Sequence, residues 1–266
     1  MNLPPSTPQS RVLITGASSG IGAALAESFA KRGYCLIVVA RREDRLVTLA
    51  DRLRTQYLVE VDVLACDLAD PVARDELLKR LVSTDISVIC LNAGFATYGR
   101  INQLSAARER EQVELNVVAV HDFVLALLPR LITRGSGAIL ITGSTAGNQP
   151  GPNNATYAAA KAFANTLSES LHAELAGSGV TCTLLAPGPV RTEFGAVAEL
   201  GAIEAHLPGF AWVTADHVAE QAIRGIMAGR RRVVPGTVAK IQDVGGKLTP
   251  RSILSPILRK VYGDMR

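Results

Sequence analysis

Apolar residues along this chain gather into short dense runs, separated by longer segments in which they recur every three or four positions; this predicts strands interleaved with helices. Arg11–Thr15, Cys35–Ala40 and residues 59–66, 88–91 and 139–142 read as strands, with 232–235 as the last. Helical spacing follows the glycine-rich turn to about residue 32, then covers 42–57, 71–83 and about 106–131. It resumes near Ala155 and again from Thr214. The pattern predicts a single α/β domain, and 266 residues suit one such domain with a large core better than two small ones.

Composition changes this picture little: 48% apolar and 20% charged is an ordinary globular balance. The first ten residues have neither the basic nor the apolar region of a signal peptide and read as a loose arm. No run reads as long and apolar enough to span a bilayer. Cys35, Cys66, Cys90 and Cys182 each sit in or beside a strand-like run without metal-ligand spacing, which points to small core residues in a reduced, cytoplasmic protein. The histidines are scattered, so no metal site is expected.

Candidate chemistry begins after the first strand. Gly16, Ala17, Ser18, Ser19, Gly20, Ile21 and Gly22 lie between a strand and a helix, where glycines permit a tight turn and the helix N-terminus faces a pyrophosphate. The alternative is a turn and nothing more. The second strand ends in Arg41 and Arg42 with no acid at that point, which favours NADP(H) over NAD(H), because arginine suits the additional phosphate. Arg41 is the first candidate and Arg42 the second; the alternative is that both open the solvated face of the following helix. Asp67 and Leu68 stand at the end of the third strand, placed for an adenine ring. Asn92, Ala93 and Gly94 close the fourth, where small residues admit a cofactor to the backbone.

The strand at 139–142 delivers Ser144 to its C-terminal end, where open α/β sheets form their ligand crevice. After an irregular loop, Asn154 is positioned to cap a helix on which Tyr157 and Lys161, four apart, share one face. A free tyrosine has a pKa of about 10. A lysine ammonium beside it favours the phenolate, letting Tyr157 exchange a proton with a substrate oxygen that Ser144 holds. The alternative is a surface tyrosine and a solvated lysine. Asn116, among apolar neighbours, needs a partner, either a water on a proton path or backbone at a bend.

Taken together, these motifs resemble the short-chain dehydrogenase/reductase family from Arg11 to about Thr192. Residues 15–22 resemble its cofactor turn, Asp67 its adenine-side acid, Asn92 to Gly94 its mid-chain signature, and Asn116, Ser144, Tyr157 and Lys161 its catalytic tetrad. Pro187, Gly188, Val190 and Thr192 lie in a segment similar to its nicotinamide-side loop. The resemblance implies a single-domain Rossmann fold, doubly wound around a mostly parallel seven-stranded sheet, that passes hydride between nicotinamide and a carbonyl or alcohol carbon. It also implies that Tyr157 is the acid/base, that Lys161 binds the nicotinamide ribose, and that Asn116 anchors a water relay. Leu91 departs from the pattern, since many members carry asparagine there.

Residues 194–213 occupy the position of the family's substrate-covering segment and, being poor in charge, suit an apolar carbonyl substrate such as a ketone, aldehyde, 3-oxoacyl or steroid-like compound. The basic extension 237–266 resembles the ketoacyl-CoA and hydroxysteroid reductase branch more than the 3-oxoacyl-carrier-protein reductases. From Arg230 onward nine basic residues face two acids, so the tail carries +7 and the rest of the chain −3. Basicity confined to a tail argues against nucleic acid as a partner. Ile253, Leu254, Ile257, Leu258 and Val261 at helical spacing allow either weak peripheral contact with an anionic membrane or docking on the protein itself or on a second subunit of a homo-oligomer. Two function classes stand: an NADPH-dependent reductase and a non-catalytic NADP(H)-sensing protein on the same fold, which would tolerate loss of Tyr157 or Lys161.

Overall fold

The computed structural model describes residues 3–197 and 208–263. Its strands are β1 (Arg11–Thr15), β2 (Cys35–Ala40), β3 (Val61–Ala65), β4 (Ile86–Leu91), β5 (Gly137–Thr142), β6 (Val180–Leu185), β7 (Val190–Arg191), β8 (Val213–Thr214) and β9 (Arg232–Val233). Seven of them form one sheet in the order β3-β2-β1-β4-β5-β6-β9 with every pairing parallel, while β7 and β8 make a separate two-stranded parallel pair. The chain order reverses beside β1, between β1 and β4, which is where such sheets open a ligand crevice.

Strands β2, β4 and β5 are buried at every position, so helices must cover both faces of the sheet. On one face α1 (Gly20–Ala30), α2 (Glu43–Tyr57) and α7 (Ala215–Met227) pack Phe29, Leu46 and Ile223 against Val12, Ile14 and Val38. On the other face α3 (Pro71–Val82), α5 (Ala119–Arg134) and α6 (Ala155–Glu174) pack Leu81, Phe123 and Leu171 against Leu13, Ile37 and Ile139. Leu91 belongs to this second core, at 3% exposure, so packing replaces the polar contact that asparagine would offer. Local signals agree with these elements: Pro71 opens α3, and the Asp70 carboxylate accepts from Val72 N at 2.9 Å and Ala73 N at 3.4 Å.

Several expectations are corrected. The third strand is shorter than 59–66, and the fourth and fifth start earlier, at Ile86 and Gly137, because these residues already pair with Arg11 and Val180. The helix expected over 106–131 is α4 (Ala106–Val113), a π turn (Glu114–Val118) and α5, which together run to Arg134. A π turn adds a residue per turn, which a 3.6-residue periodicity does not register. By length and composition this run could cross a membrane, contrary to expectation, yet here Phe123, Leu127 and Leu131 bury against the sheet. Of the N-terminal arm, residues 5–9 are exposed while 3, 4 and 10 are buried. Leu3 is 8% exposed, and the Tyr34 hydroxyl donates to Pro4 O at 2.5 Å.

The tail forms α8 (Thr237–Leu248) and α9 (Arg251–Gly263). It docks on its own domain: Ala239 packs against Gly188, and Leu258 is buried. Of the segment expected to cover the substrate, 198–207 lies outside the described residues, as do the side chains of Ile257 and Val261.

Candidate active site

Loops following the strands meet at one edge of the sheet around a cleft of about 630 Å³. Gly16, Ser18, Ser19, Gly20, Ile21, Arg41, Arg42, Asp67, Leu68, Asn92, Ala93, Gly94, Pro187, Gly188, Val190 and Thr192 line it, with Ser144, Tyr157 and Lys161. Among the turn and site residues read from sequence, Ala17, Gly22 and Asn116 do not line it.

Gly22 explains the glycine turn, since a Cβ there would lie 2.2 Å from Gly16 O. Ser19 holds the cap position of α1 in extended conformation without a side-chain cap bond, which leaves the first-turn N–H groups for an anion. Beside this turn the two arginines make different contacts. Arg42 Nη2 donates to Ser18 Oγ at 3.1 Å and Ser19 Oγ at 2.8 Å, so its guanidinium lies against the turn. Arg41 turns to acids instead, with Nη1 3.1 Å from Glu111 and 3.8 Å from Asp67. Arg42 and the neighbouring Arg45 also grip Glu193, at 2.9 and 2.6 Å, and hold its carboxyl below the usual range. The cradle thus fits a dinucleotide with an extra phosphate: a glycine turn no side chain could replace, an uncapped helix start, and an arginine between two serine hydroxyls.

The floor of the cleft is tied across strands. Thr15 Oγ1 accepts from Asn92 N at 2.9 Å and Ala93 N at 3.0 Å, and Thr142 Oγ1 donates to Asn92 Oδ1 at 3.2 Å. Asn116, in the π turn, donates to Phe95 O at 2.8 Å and accepts from Phe95 N at 3.2 Å. Its partner is therefore backbone at a bend.

Ser144 starts the 3₁₀ turn Thr145–Asn148 and accepts from Ala146 N at 3.1 Å. Tyr157 lies within one turn of the start of α6, its ring 5.7 Å from Phe194. Asn154 holds the cap position, yet its side chain donates to Thr97 O and leaves the helix uncapped by it. Burial pushes the Tyr157 phenol up to about 12, and its hydrogen bond with Ser144 pulls the other way. The expected lowering by Lys161 is not what governs this tyrosine: the ammonium donates to Thr142 O at 2.8 Å and sits 5.7 Å from the ring centroid. Burial in turn lowers Lys161 to about 8. Near neutrality the site therefore presents a protonated phenol beside a poorly solvated cation.

The cleft is also walled by Phe95, Tyr98, Gln149, Phe194, Trp212, Gln242 and Leu258, none of which the sequence reading placed at the site by itself. Trp212 and Phe194 fell within the substrate-covering segment and Leu258 on the apolar tail face read as docking on the protein itself, whereas Gln242 has no local signature. Two arginines stand behind this wall, Arg108 stacked on the Phe95 ring at 3.9 Å and Arg191 on the Trp212 ring at 5.9 Å.

Comparison with known proteins agrees with this geometry. The profile described as short chain dehydrogenase matches residues 10–200. A sulfoacetaldehyde reductase of Chromohalobacter salexigens is 37% identical over 217 residues, covering 79% of this chain and 85% of that one. A short-chain dehydrogenase from Sphingobium yanoikuyae, solved in complex with NADPH, superposes with a TM-score of 0.80 at 33% identity over 97% of this chain and 96% of the other. A bulky-bulky ketone specific alcohol dehydrogenase from Comamonas testosteroni gives 0.76 at 30% identity, covering 100% and 94%.

The buried lysine makes one measurable demand on the free protein. Its folded pKa of about 8 lies below the ordinary 10.5, so between these values the unfolded chain holds more protons and stability rises with pH. The Lys161→Met variant lacks this contribution. By chemical denaturation it should be more stable than wild type at pH 7, by up to about 3 kcal/mol, and the difference should shrink as pH rises from 8 to 10.5. A difference that stays constant with pH would mean that the ammonium is not desolvated.

Proposed function

Because the chain belongs to the short-chain dehydrogenase family, oxidoreductases acting on CH–OH groups, we propose that it reduces neutral, apolar ketones or aldehydes with NADPH. The observation that carries this reading is one cleft lined by Ser144, Tyr157 and Lys161, by Arg41 and Arg42, and by the apolar side chains of Phe95, Phe194, Trp212 and Leu258. Phe95, Phe194, Trp212 and Leu258 offer a substrate apolar surface, and the two arginines nearest to them, Arg108 and Arg191, are already stacked on Phe95 and Trp212. The similarity to a protein specific for bulky ketones therefore suits this cleft better than the similarity to one acting on sulfoacetaldehyde.

When bound, the nicotinamide supplies or accepts the hydride. Ser144 donates a hydrogen bond that fixes the carbonyl oxygen and orients it toward Tyr157. Tyr157, protonated at neutral pH, gives its proton to that oxygen as negative charge develops there; in the oxidative direction it takes the proton back. Lys161 is charged below about pH 8, stabilises the phenolate left behind and holds the nicotinamide ribose. Asn116 fixes the Phe95 backbone that walls the cleft. Arg42 with Ser18 and Ser19 takes the 2′-phosphate, and Arg41 stands in support.

A peripheral membrane contact belongs to the same reading. Ile241, Val244, Leu248 and Ile253 are exposed on the outside of α8 and α9 beside exposed Lys240 and Lys247, while the acid on α8, Asp243, is buried. An apolar face edged only by cations suits an anionic bilayer surface, where apolar ketones partition.

Three outcomes follow from this reading. Tyr157→Phe removes the transferable proton alone, so turnover should fall by about a hundredfold or more while NADPH affinity by fluorescence titration stays within about twofold; substantial residual turnover would end the acid/base role. Arg42→Ala should weaken NADPH by about tenfold or more and leave NADH unchanged, with Arg41→Ala weaker in effect, and an unaltered NADPH preference would move the phosphate site elsewhere. The intact protein should co-sediment with anionic but not neutral vesicles at low salt, and Ile241→Asp combined with Leu248→Asp should abolish this; equal sedimentation of the variant would refute the surface.

A further inference from the structure

The turn that carries Ser144 is gripped from behind by a chain of buried polar groups that the chemistry above does not use. Asn165 stands on α6 one turn beyond Lys161, at 4% exposure. Its Oδ1 accepts from Ser144 N at 3.3 Å, and its Nδ2 donates to Ser144 O at 2.9 Å, so one side chain clamps both backbone groups of Ser144. The clamp reaches across Gly143, where a Cβ would fall 2.0 Å from Asn165 Oδ1, which explains the glycine before the serine.

From there the chain of bonds leaves the Rossmann core. Asn165 Nδ2 also donates to Asn148 Oδ1 at 3.2 Å, at the end of the Ser144 turn. Asn148 Nδ2 donates to Asp243 Oδ1 at 2.7 Å, and Asp243 belongs to α8 in the C-terminal extension. Arg232 bonds both Asn148 Oδ1, at 3.1 Å, and the Asp243 carboxylate, while Lys247 Nζ reaches Asp243 Oδ2 at 3.1 Å. Arg251, at the start of α9, donates to Asn148 O at 2.9 Å. Glu169 faces Arg232 Nη1 at 3.3 Å and Arg231 Nη1 at 3.7 Å.

Asn148 and Asp243 are both nearly buried, at 8% and 7% exposure. A buried carboxylate is a costly anchor unless paired, and this one is paired on each oxygen, so its geometry is fixed. The same tail helices place Gln242 and Leu258 in the cleft wall. A merely structural strut would be free to end anywhere on the core, whereas this one ends on the two backbone groups of the serine that faces Tyr157.

We propose that Asp243 is a positioning residue for Ser144: through Asn148 and Asn165 it sets the turn that aims the serine hydroxyl, which makes the C-terminal extension part of the reaction apparatus. The proposal rests on the reading of Ser144 as the group that orients the substrate oxygen.

The test is a double-mutant cycle on the full chain with NADPH and a neutral bulky ketone. Ser144→Ala should lower kcat strongly. Asp243→Asn, which keeps the shape and removes the charge, should lower kcat by about tenfold with the NADPH KM within twofold of wild type. Introduced into Ser144→Ala, it should cost less than a further twofold, because the group it aims has gone. Arg251→Gln touches the same chain from a half-exposed site that does not threaten folding, and should show a smaller kcat loss with the same non-additivity. A wild-type kcat for Asp243→Asn, or a full additive loss in the Ser144→Ala background, would overturn the proposal, and if Asp243→Asn does not fold, additivity for Arg251→Gln would do so. Undiminished turnover in Ser144→Ala would instead defeat the reading of the serine, and the proposal with it.

Discussion

Central strands that bury side chains on both faces cannot exist without helices on both faces, and this constraint shapes the rest of the molecule. A parallel sheet satisfies it through crossovers, which bring every strand to the same edge at its C-terminal end. Residues far apart in sequence, from Gly16 to Gly188, therefore line one cleft without any of them having to leave its own element. Position comes from the sheet. What remains for the loops is to offer backbone and a few side chains.

At that edge the competition is between burial and charge. Tyr157 and Lys161 are four residues apart and share a helix face, as their spacing implies, yet proximity alone does not decide the phenol's acidity. The ammonium spends its hydrogen bond on Thr142 O, and desolvation moves the two groups in opposite senses, the phenol up and the ammonium down. Both shifts favour neutral forms. A protonated phenol is what reduction of a carbonyl needs, so the free site is already poised on the donating side.

Much of this was legible in the chain because it rests on local rules. A glycine turn between a strand and a helix, a serine at a strand end and a tyrosine four before a lysine each carry their own spacing, and the cleft contains all of them. What was not legible is relational. Chain order put Arg41 ahead of Arg42, and only the folded chain shows that Arg41 meets the acids at 67 and 111 while Arg42 meets the hydroxyls at 18 and 19. Asn154 had the right residue type for a cap and a better partner in Thr97 O. Asn165 left a trace, as the next polar residue at four-residue spacing on an alanine-rich helix, whereas Asp243, Gln242 and Leu258 reach the site through tertiary packing that no local pattern encodes.

Glu193 stands one residue before the helical turn whose Phe194 ring meets Tyr157, and its carboxylate already occupies Arg42 and Arg45. The two arginines and the acid together amount to a single positive charge, about half exposed to solvent. An anion arriving here exchanges one ion pair for another instead of meeting two bare cations. For the phosphate proposed to bind here, fewer counterions would be released than the arginines suggest, so added salt would weaken its approach less steeply than a count of basic side chains implies.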